Sequence, residues 1–226
     1  TAPEPVLKVV LDKFKLVCVL DGIIPVPATH LLGSNADLTS WTGKCITKPR
    51  RGAGSRGISL LEEVPASPDP DPSMLIQEYL PGAEYSVDVL ADRQGRVLSA
   101  VPRERLKVDS GVAVAARVVR DAELEHFATL AVERLGLPFI SNVQFRRNSM
   151  GVPCLLEINP RTPGTMPLTV ASGVNMPLLA LRALLGHVTD AEVPAFKEVA
   201  TVRYWTERFI TPDEMSALTV QSEVAA

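Results

Sequence analysis

Four prolines in nine residues, PASPDPDPS at 65–73, constrain this chain more than any other stretch, because of what stands before them. Residues 48–57 read KPRRGAGSRG and contain G-x-G-x-x-G at Gly52, Gly54 and Gly57. As a dinucleotide fingerprint, that pattern requires a helix opening at the last glycine, so that its first amides face a pyrophosphate. Only ISLLEEV, 58–64, separates Gly57 from the prolines. Proline has no N–H to donate and a fixed φ, so no helix of ordinary length fits. A Walker loop fails as well, since Gly57 is followed by Ile58-Ser59 rather than by Lys and Ser or Thr. A protein-kinase flap places its lysine on a strand after the glycines and carries H-R-D and D-F-G downstream. Here Lys48 comes first and neither motif occurs. Two readings stay open: a solvent-exposed hairpin loop, or a basic flap whose glycines let backbone N–H groups approach phosphate oxygens closely, with Lys48, Arg50, Arg51 and Arg56 adding charge.

The rest of the chain alternates helical and two-residue periods. Leu7, Val10, Leu11, Phe14 and Val17 recur at helical spacing and predict one helix over 4–21, stopped by Gly22. The prolines of IIPVPATHLL make the next segment extended. Short strands are predicted at 44–49, 58–64 and 74–80. EYSVDVLAD (84–92) and VLSAVPRER (97–105) flank a turn and read as a hairpin. DAELEHFATLAVERLG (121–136) is amphipathic, with Asp121 as N-cap and Gly136 as stop. SNVQF (141–145) and CLLEIN (154–159) form a second hairpin around RRNSMGVP, and a short apolar helix fits 176–186. VRYW (202–205) reads as a strand, and the last dozen residues as a frayed end. Helices mixed with antiparallel hairpins give an α+β class.

The second hairpin carries the chemistry. Glu157 and Asn159 stand two apart on a strand and share a face. Pairing around the turn sets Gln144 roughly opposite Glu157, so three oxygen donors converge, a set that suits Mg²⁺. Arg161 follows and can hold a phosphate oxygen beside the ion. The competing reading is the plain outward face of a hairpin. Glu78 and Glu84 bracket a strand–turn–strand that can line a nucleotide cleft.

Composition removes other classes. A net charge of −3 and a pI near 5.7 give no field that favours nucleic acid or an anionic membrane. No apolar run reaches a membrane-spanning length. Cys18, Cys45 and Cys154 lie far apart in apolar contexts, as small buried hydrophobes of a reducing, cytoplasmic compartment would. His30, His126 and His187 are isolated and make no metal-ligand spacing. A first residue of Thr rather than Met suggests a fragment or a processed chain.

Asp12-Lys13, GIIPVPAT (22–29), KPRRGAGSRGI (48–58), IQEYLPGAEYSVDV (76–89), NVQF (142–145) and LEINPR (156–161) occur in an order that resembles the ATP-grasp enzymes. The resemblance is greatest to stand-alone relatives of the carbamoyl-phosphate synthase large subunit, and it spans roughly residues 12–185. It implies an ATP-grasp fold: two α+β lobes gripping ATP, with the family's N-terminal Rossmann-like domain absent from this chain. The implied organisation is a linker helix and entry segment at 1–30, a small lobe with the flap at 31–75, a large lobe with nucleotide and metal site at 76–210, and a tail at 211–226. The resemblance further implies that Lys13 and Lys48 contact the phosphates of ATP, with Arg50, Gly52, Gly54, Ser55 and Gly57 closing over them. Glu78, Tyr79 and Leu80 would meet adenine, and Glu84 the ribose. Gln144, Glu157 and Asn159 would hold one or two Mg²⁺ ions, with Mn²⁺ as the alternative. Arg161, with Arg103 or Arg105, would stabilise the transferred phosphoryl group or the substrate carboxylate. The implied activity is ATP-dependent ligation of a small carboxylate to an amine. A nucleotide-binding module without turnover is the alternative, and a homodimer is left open. Only Glu157 is an obvious carboxylate at the metal position, a departure that leaves a second ion in question.

Overall fold

The computed structural model describes residues 2–32, 38, 41, 43–52, 56–65, 70–109, 111–186, 192–204 and 206–215. The helix expected over 4–21 is two helices, α1 (Glu4–Val10) and α2 (Lys13–Leu20). The apolar spacing runs through the break unchanged, which is why periodicity does not reveal it. Asp12 makes the break: its backbone is extended, and its side chain accepts the N–H of Lys15 as the N-cap of α2. Leu11, expected on the buried stripe, is exposed as a result.

Strands β1 (Thr29–Leu31), β2 (Cys45–Pro49), β3 (Ser59–Leu61) and β4 (Met74–Glu78) form an antiparallel sheet in the order β1-β4-β2-β3. Its own small core gathers Leu32, Cys45 and Ile76. The expected partition at 75/76 cuts through β4, which pairs along its length with β2 and belongs wholly to this sheet. Likewise the 30/31 division cuts β1.

The second sheet has six antiparallel strands: β5 (Glu84–Ala91), β6 (Val97–Asp109), β7 (Val112–Val118), β8 (Phe139–Arg147), β9 (Pro153–Asn159) and β10 (Ala200–Val202), in the order β10-β7-β6-β5-β8-β9. β7 was not expected; Val112, Val114 and Val118 favour a strand there, but the three alanines between them do not. β10 ends at Val202, short of the Arg203 and Tyr204 that the sequence put in it, while 205 and the frayed end at 216–226 lie outside the described residues. The one long helix on this sheet, α3 (Ala122–Leu135), starts at its Asp121 cap and ends at Gly136, whose φ of 61° favours a residue without Cβ. Two shorter helices follow, α4 (Met166–Ala171), which was not expected, and α5 (Met176–Leu184).

Period-2 alternation gives the six-stranded sheet two unlike faces. One face presents Val87, Val89, Val143, Phe145 and Leu155 to α1, α2 and α3. On the other, Leu90, Val101 and Ile140 pack beneath α4 and α5 at one end. Further along, that same face is polar, with Ser86, Asp88, Asn142, Gln144, Glu157 and Asn159 in register on β5, β8 and β9. Helices cover the apolar part, and the polar part is left to form a site.

Candidate functional site

A cavity of about 340 Å³ lies between the two sheets, within the size range of small-molecule sites. The strand period of β2 aims Ile46 and Lys48 into it, and the end of β4 adds Gln77 and Glu78. From the six-stranded sheet come Glu84, Arg105, Gln144, Arg146 and Glu157.

Lys48 is the least expected of these physically. It is 5% exposed, and Nζ donates to Gln77 Oε1 at 2.7 Å. Gln77 Nε2 donates in turn to Thr29 Oγ1 at 2.7 Å, and the Thr29 hydroxyl donates to the Pro27 carbonyl at 2.8 Å. Among the described residues no carboxylate forms an ion pair with Lys48. Burial, and then the charge of Lys13, push its ammonium down to about 8, against the pull of Glu157. A buried cation held only by an amide oxygen is poised for an anionic partner.

Lys13 sits at the first turn of α2 and reaches the cavity because Asp12 breaks the helix there. Its Nζ donates to the Gly52 carbonyl at 2.8 Å and lies 3.9 Å from Glu157 Oε2. Gly52 lines the cavity with φ of 141°. Gly57 does not line it, but its φ is 71° and an added Cβ would stand 3.0 Å from Pro49 Cγ, so the turn requires glycine. Gly54 and Ser55 lie outside the described residues.

Two expected site residues point elsewhere. Arg50 turns away from the cavity and donates through Nε to Asp12 Oδ1 at 2.8 Å, with its guanidinium over the Phe14 ring. Burial pushes the Asp12 carboxyl up, but the bonds from Arg50 and the Lys15 N–H, with the charges of Arg50 and Arg51, outweigh it and hold the group below its ordinary range. Arg50 is therefore a clamp on the helix break rather than a residue of the cavity. Arg103 is fully buried, with NH2 2.6 Å from Asp88 Oδ1 and NH1 2.6 Å from Thr165 Oγ1, and it reaches neither cavity. Thr165 and Asp88 close over it on the face it shares with Arg105, whereas Arg105, two residues on where β6 projects past β5, lines the site.

Glu78, Tyr79 and Leu80 all line the cavity. The Glu78 side chain is fixed to the segment just before β1, where it accepts the Ala28 N–H at 3.3 Å. Glu84 pairs with Arg105 at 3.1 Å. The expected pairing of Gln144 with Glu157 is the observed register. Asn159 Nδ2 donates to Glu157 Oε1 at 2.9 Å, so those two side chains do share a face. Asn159 and Arg161 line an adjoining cavity of about 100 Å³, which shares Arg105, Gly111 and Gln144 with the larger one.

Several lining residues were not foreseen. Ile46 is on the Lys48 face of β2, and Ile58 and Leu60 share one face of the flap's second arm, so the alternation around Lys48 would have found them. Gln77 is concealed in the apolar run MLIQEYL. Arg146 stands opposite Glu84 in register, with its guanidinium over the Tyr79 ring. Strict alternation would put Leu156 on the face opposite Glu157. A bulge after Gln144 pairs Phe145 with Leu155 and turns Leu156 into the cavity, which a strict two-residue period cannot anticipate.

Among the described residues no three His, Cys, Asp or Glu side chains gather as a metal cage. A divalent ion here would take one carboxylate, Glu157, with the amide oxygens of Gln144 and Asn159, and complete its shell with water and a ligand's phosphates. That is the way Mg²⁺ is commonly held, so the donor set fits.

Comparison with known proteins agrees with this geometry. A family model described as "ATP-grasp in the biosynthetic pathway with Ter operon" matches residues 70–208, more than half of the chain. The carbamoyl phosphate synthase large chain of Deinococcus deserti is 34% identical over 144 residues, which is 59% of this chain and 14% of that protein. Among solved structures, an L-amino acid ligase from Bacillus licheniformis superposes with a TM-score of 0.66 at 16% identity, over 88% of this chain and 55% of that one. Biotin carboxylase from Campylobacter jejuni, in a β,γ-ATP complex, gives 0.72 at 15% identity, over 86% and 51%. The chain thus spans about half the length of these structures, and their likeness is one of fold. No helix among the described residues is long and apolar enough to cross a membrane. With its two antiparallel sheets facing each other across a cavity and a family model matched along most of the larger one, the chain belongs to the ATP-grasp family.

Proposed function

We propose that the cavity binds Mg-ATP and that the chain is the nucleotide-binding part of a ligase that activates a small carboxylate for attack by an amine. The observation that carries this reading is the pairing of a buried lysine, Lys48, with a carboxylate–amide cluster, Glu157 and Gln144, in one cavity. Polyphosphate needs cations on one side and a divalent ion's donors on the other.

Ile46, Leu60 and Leu156 offer apolar walls for a base, and Glu78 with the backbone to Leu80 offers its hydrogen-bonding edge. Glu84 suits ribose hydroxyls. Lys13, Lys48 and the Gly52 region face the phosphates. Glu157, Gln144 and Asn159 would hold Mg²⁺, which when bound offsets phosphate charge. In the reaction, a carboxylate oxygen attacks the γ-phosphorus and the bond to the ADP oxygen breaks, leaving an acyl phosphate. The amine then attacks the acyl carbon, inorganic phosphate departs and the nitrogen loses a proton. Protein side chains position the groups and neutralise charge, as phosphoryl transfer requires. Arg105 and Arg161 border the smaller cavity next to Gln144 and suit the acid's carboxylate.

Phosphate release across pairs of carboxylates and amines tests the reading. ADP and phosphate formed only when both partners are present would support it. A second reading is ATP binding without turnover; the chain spans 14% of the carbamoyl phosphate synthase large chain and about half of the solved structures named above. That reading is the outcome if Mg-ATP binds and no pair releases phosphate.

A further inference from the structure

We infer that Asp88 and Asn142 form a hydrogen-bond relay that fixes which end of the Gln144 amide faces the cavity. An amide side chain can present its oxygen or its NH₂ group, and only the oxygen can serve a cation. What decides between them lies beneath the site, on the polar stretch of the six-stranded sheet.

Asp88 is fully buried and is the ion-pair partner of Arg103. Its Oδ2 accepts from Thr169 Oγ1 at 2.5 Å, and its Oδ1 accepts from Arg103 and from Asn142 Nδ2 at 2.8 Å. A carboxylate in that role only accepts, so Asn142, itself 2% exposed, must turn its NH₂ group toward Asp88. Its oxygen then faces Gln144. Gln144 Nε2 donates to that oxygen at 3.3 Å, which leaves Gln144 Oε1 directed to the cavity, where Arg105 NH1 donates to it at 3.1 Å. The two ends of the chain, an acceptor at Asp88 and a donor at Arg105, demand the same orientation independently. Flipping Gln144 would set donor against donor at Arg105 and acceptor against acceptor at Asn142.

The two ends are not equivalent once a ligand is present. Arg105 is at the cavity wall and can be recruited to an incoming anion. Asp88 is fully buried and tied on both oxygens, so its end is unaffected by what the cavity holds. Asn142 and Asp88 are positioning residues: they act on the cation through Gln144, although Asn142 also lines the smaller cavity. This inference rests on the proposal that Gln144 Oε1 faces a nucleotide-bound cation.

The test is ADP binding by calorimetry as a function of Mg²⁺ concentration, on the full chain. It compares the wild type, Asn142→Ala, Gln144→Glu and the double variant. A carboxylate at 144 has two oxygens and needs no orienting. Asn142→Ala should therefore raise the Mg²⁺ concentration at half-saturation about tenfold when Gln144 is present, as loss of an outer-shell partner does. In the Gln144→Glu background it should raise it less than about twofold, on the same argument. Equal loss in both backgrounds, as a merely structural role gives, overturns the relay, and so does no loss in either. Asn142→Ser serves the same comparison if the alanine variant does not fold. A wild type whose ADP binding ignores Mg²⁺ overturns the metal reading, and with it the purpose of the relay.

Discussion

The two sheets meet the same cavity with opposite electrostatic strategies. The four-stranded sheet offers Lys48, a cation tied to neutral groups alone, through Gln77 and Thr29 to a backbone carbonyl. The six-stranded sheet offers groups already matched by charge: Glu84 with Arg105, and Glu157 with Lys13 reaching in from α2. On the first side a positive charge is buried without its countercharge, so that side gains most when an anion arrives. On the second side charges are balanced beforehand, and what matters is the aim of the donors. Both sides end in a glutamine whose oxygen accepts from a cation, Gln77 from Lys48 and Gln144 from Arg105. The backbone carbonyl of Pro27 anchors one chain of bonds, and the buried carboxylate of Asp88 anchors the other.

The largest effect should come from the charge-matched side. Glu157→Ala removes the single carboxylate of the donor set and leaves Lys13 without its nearest anion. Mg²⁺-dependent nucleotide binding should weaken by more than about a hundredfold, beyond the upper end of what loss of an outer-shell partner costs, because Glu157 would be a direct ligand. Calorimetry with and without Mg²⁺ measures it, and unchanged affinity would exclude Glu157 as a ligand. Next in size is Lys48→Met, which should lower turnover by about 10²-fold, as loss of one charge-stabilising donor does. Because Lys48 has no carboxylate partner to strand, its thermal midpoint should move little. A collapse of stability instead of turnover would make Lys48 structural.

The same contrast has a pH signature. Lys48 titrates near 8, below its ordinary value, because it is buried without a countercharge. Phosphates beside it favour the charged form, so above pH 8 nucleotide binding must draw a proton from solvent. At pH 9 the binding enthalpy should differ between buffers of unlike ionisation heat, by about one proton at most, and the difference should vanish near pH 7. Lys48→Met should abolish it. Stability runs the other way in sign. The unfolded chain binds more protons on this group between about 8 and the ordinary lysine value, so stability rises with pH through that window.

Much of the six-stranded half was legible in the sequence because local pattern and tertiary structure agree there. The hairpin at 141–159 has a turn that sets its register, an apolar face and a polar face, and Gln144 does stand opposite Glu157. What escaped was set by contacts distant in sequence. Asp12 divides an uninterrupted apolar period because Arg50, in the turn just past β2, clamps it. Arg103 and Arg105 share a strand face, and only the projection of β6 past its neighbour separates a buried arginine from a cavity one. Leu156 was lost to a bulge. In each case the residue type was read correctly and the partner was not, since a charge alone does not say whether it faces a ligand or a carboxylate of the same chain.

Arg50 is where that distinction is tested with the smallest effect. In sequence it is indistinguishable from its neighbours in a basic flap, and the resemblance assigns it to phosphate. In the structure its guanidinium is spent on Asp12, which is fully buried and caps α2. Arg50→Met should therefore leave Mg-ATP affinity within about twofold, since surface-charge changes away from a ligand do little to it. Stability should fall by about 1–3 kcal/mol, the cost of leaving the buried Asp12 carboxylate short of a charged donor while Arg51, 3.6 Å away, covers part of the loss. Urea unfolding and nucleotide calorimetry on the same variant separate the two roles. A large loss of affinity at unchanged stability would return Arg50 to the phosphate side. The expected result makes the Arg50–Asp12 ion pair a support of the helix break that itself never meets the nucleotide.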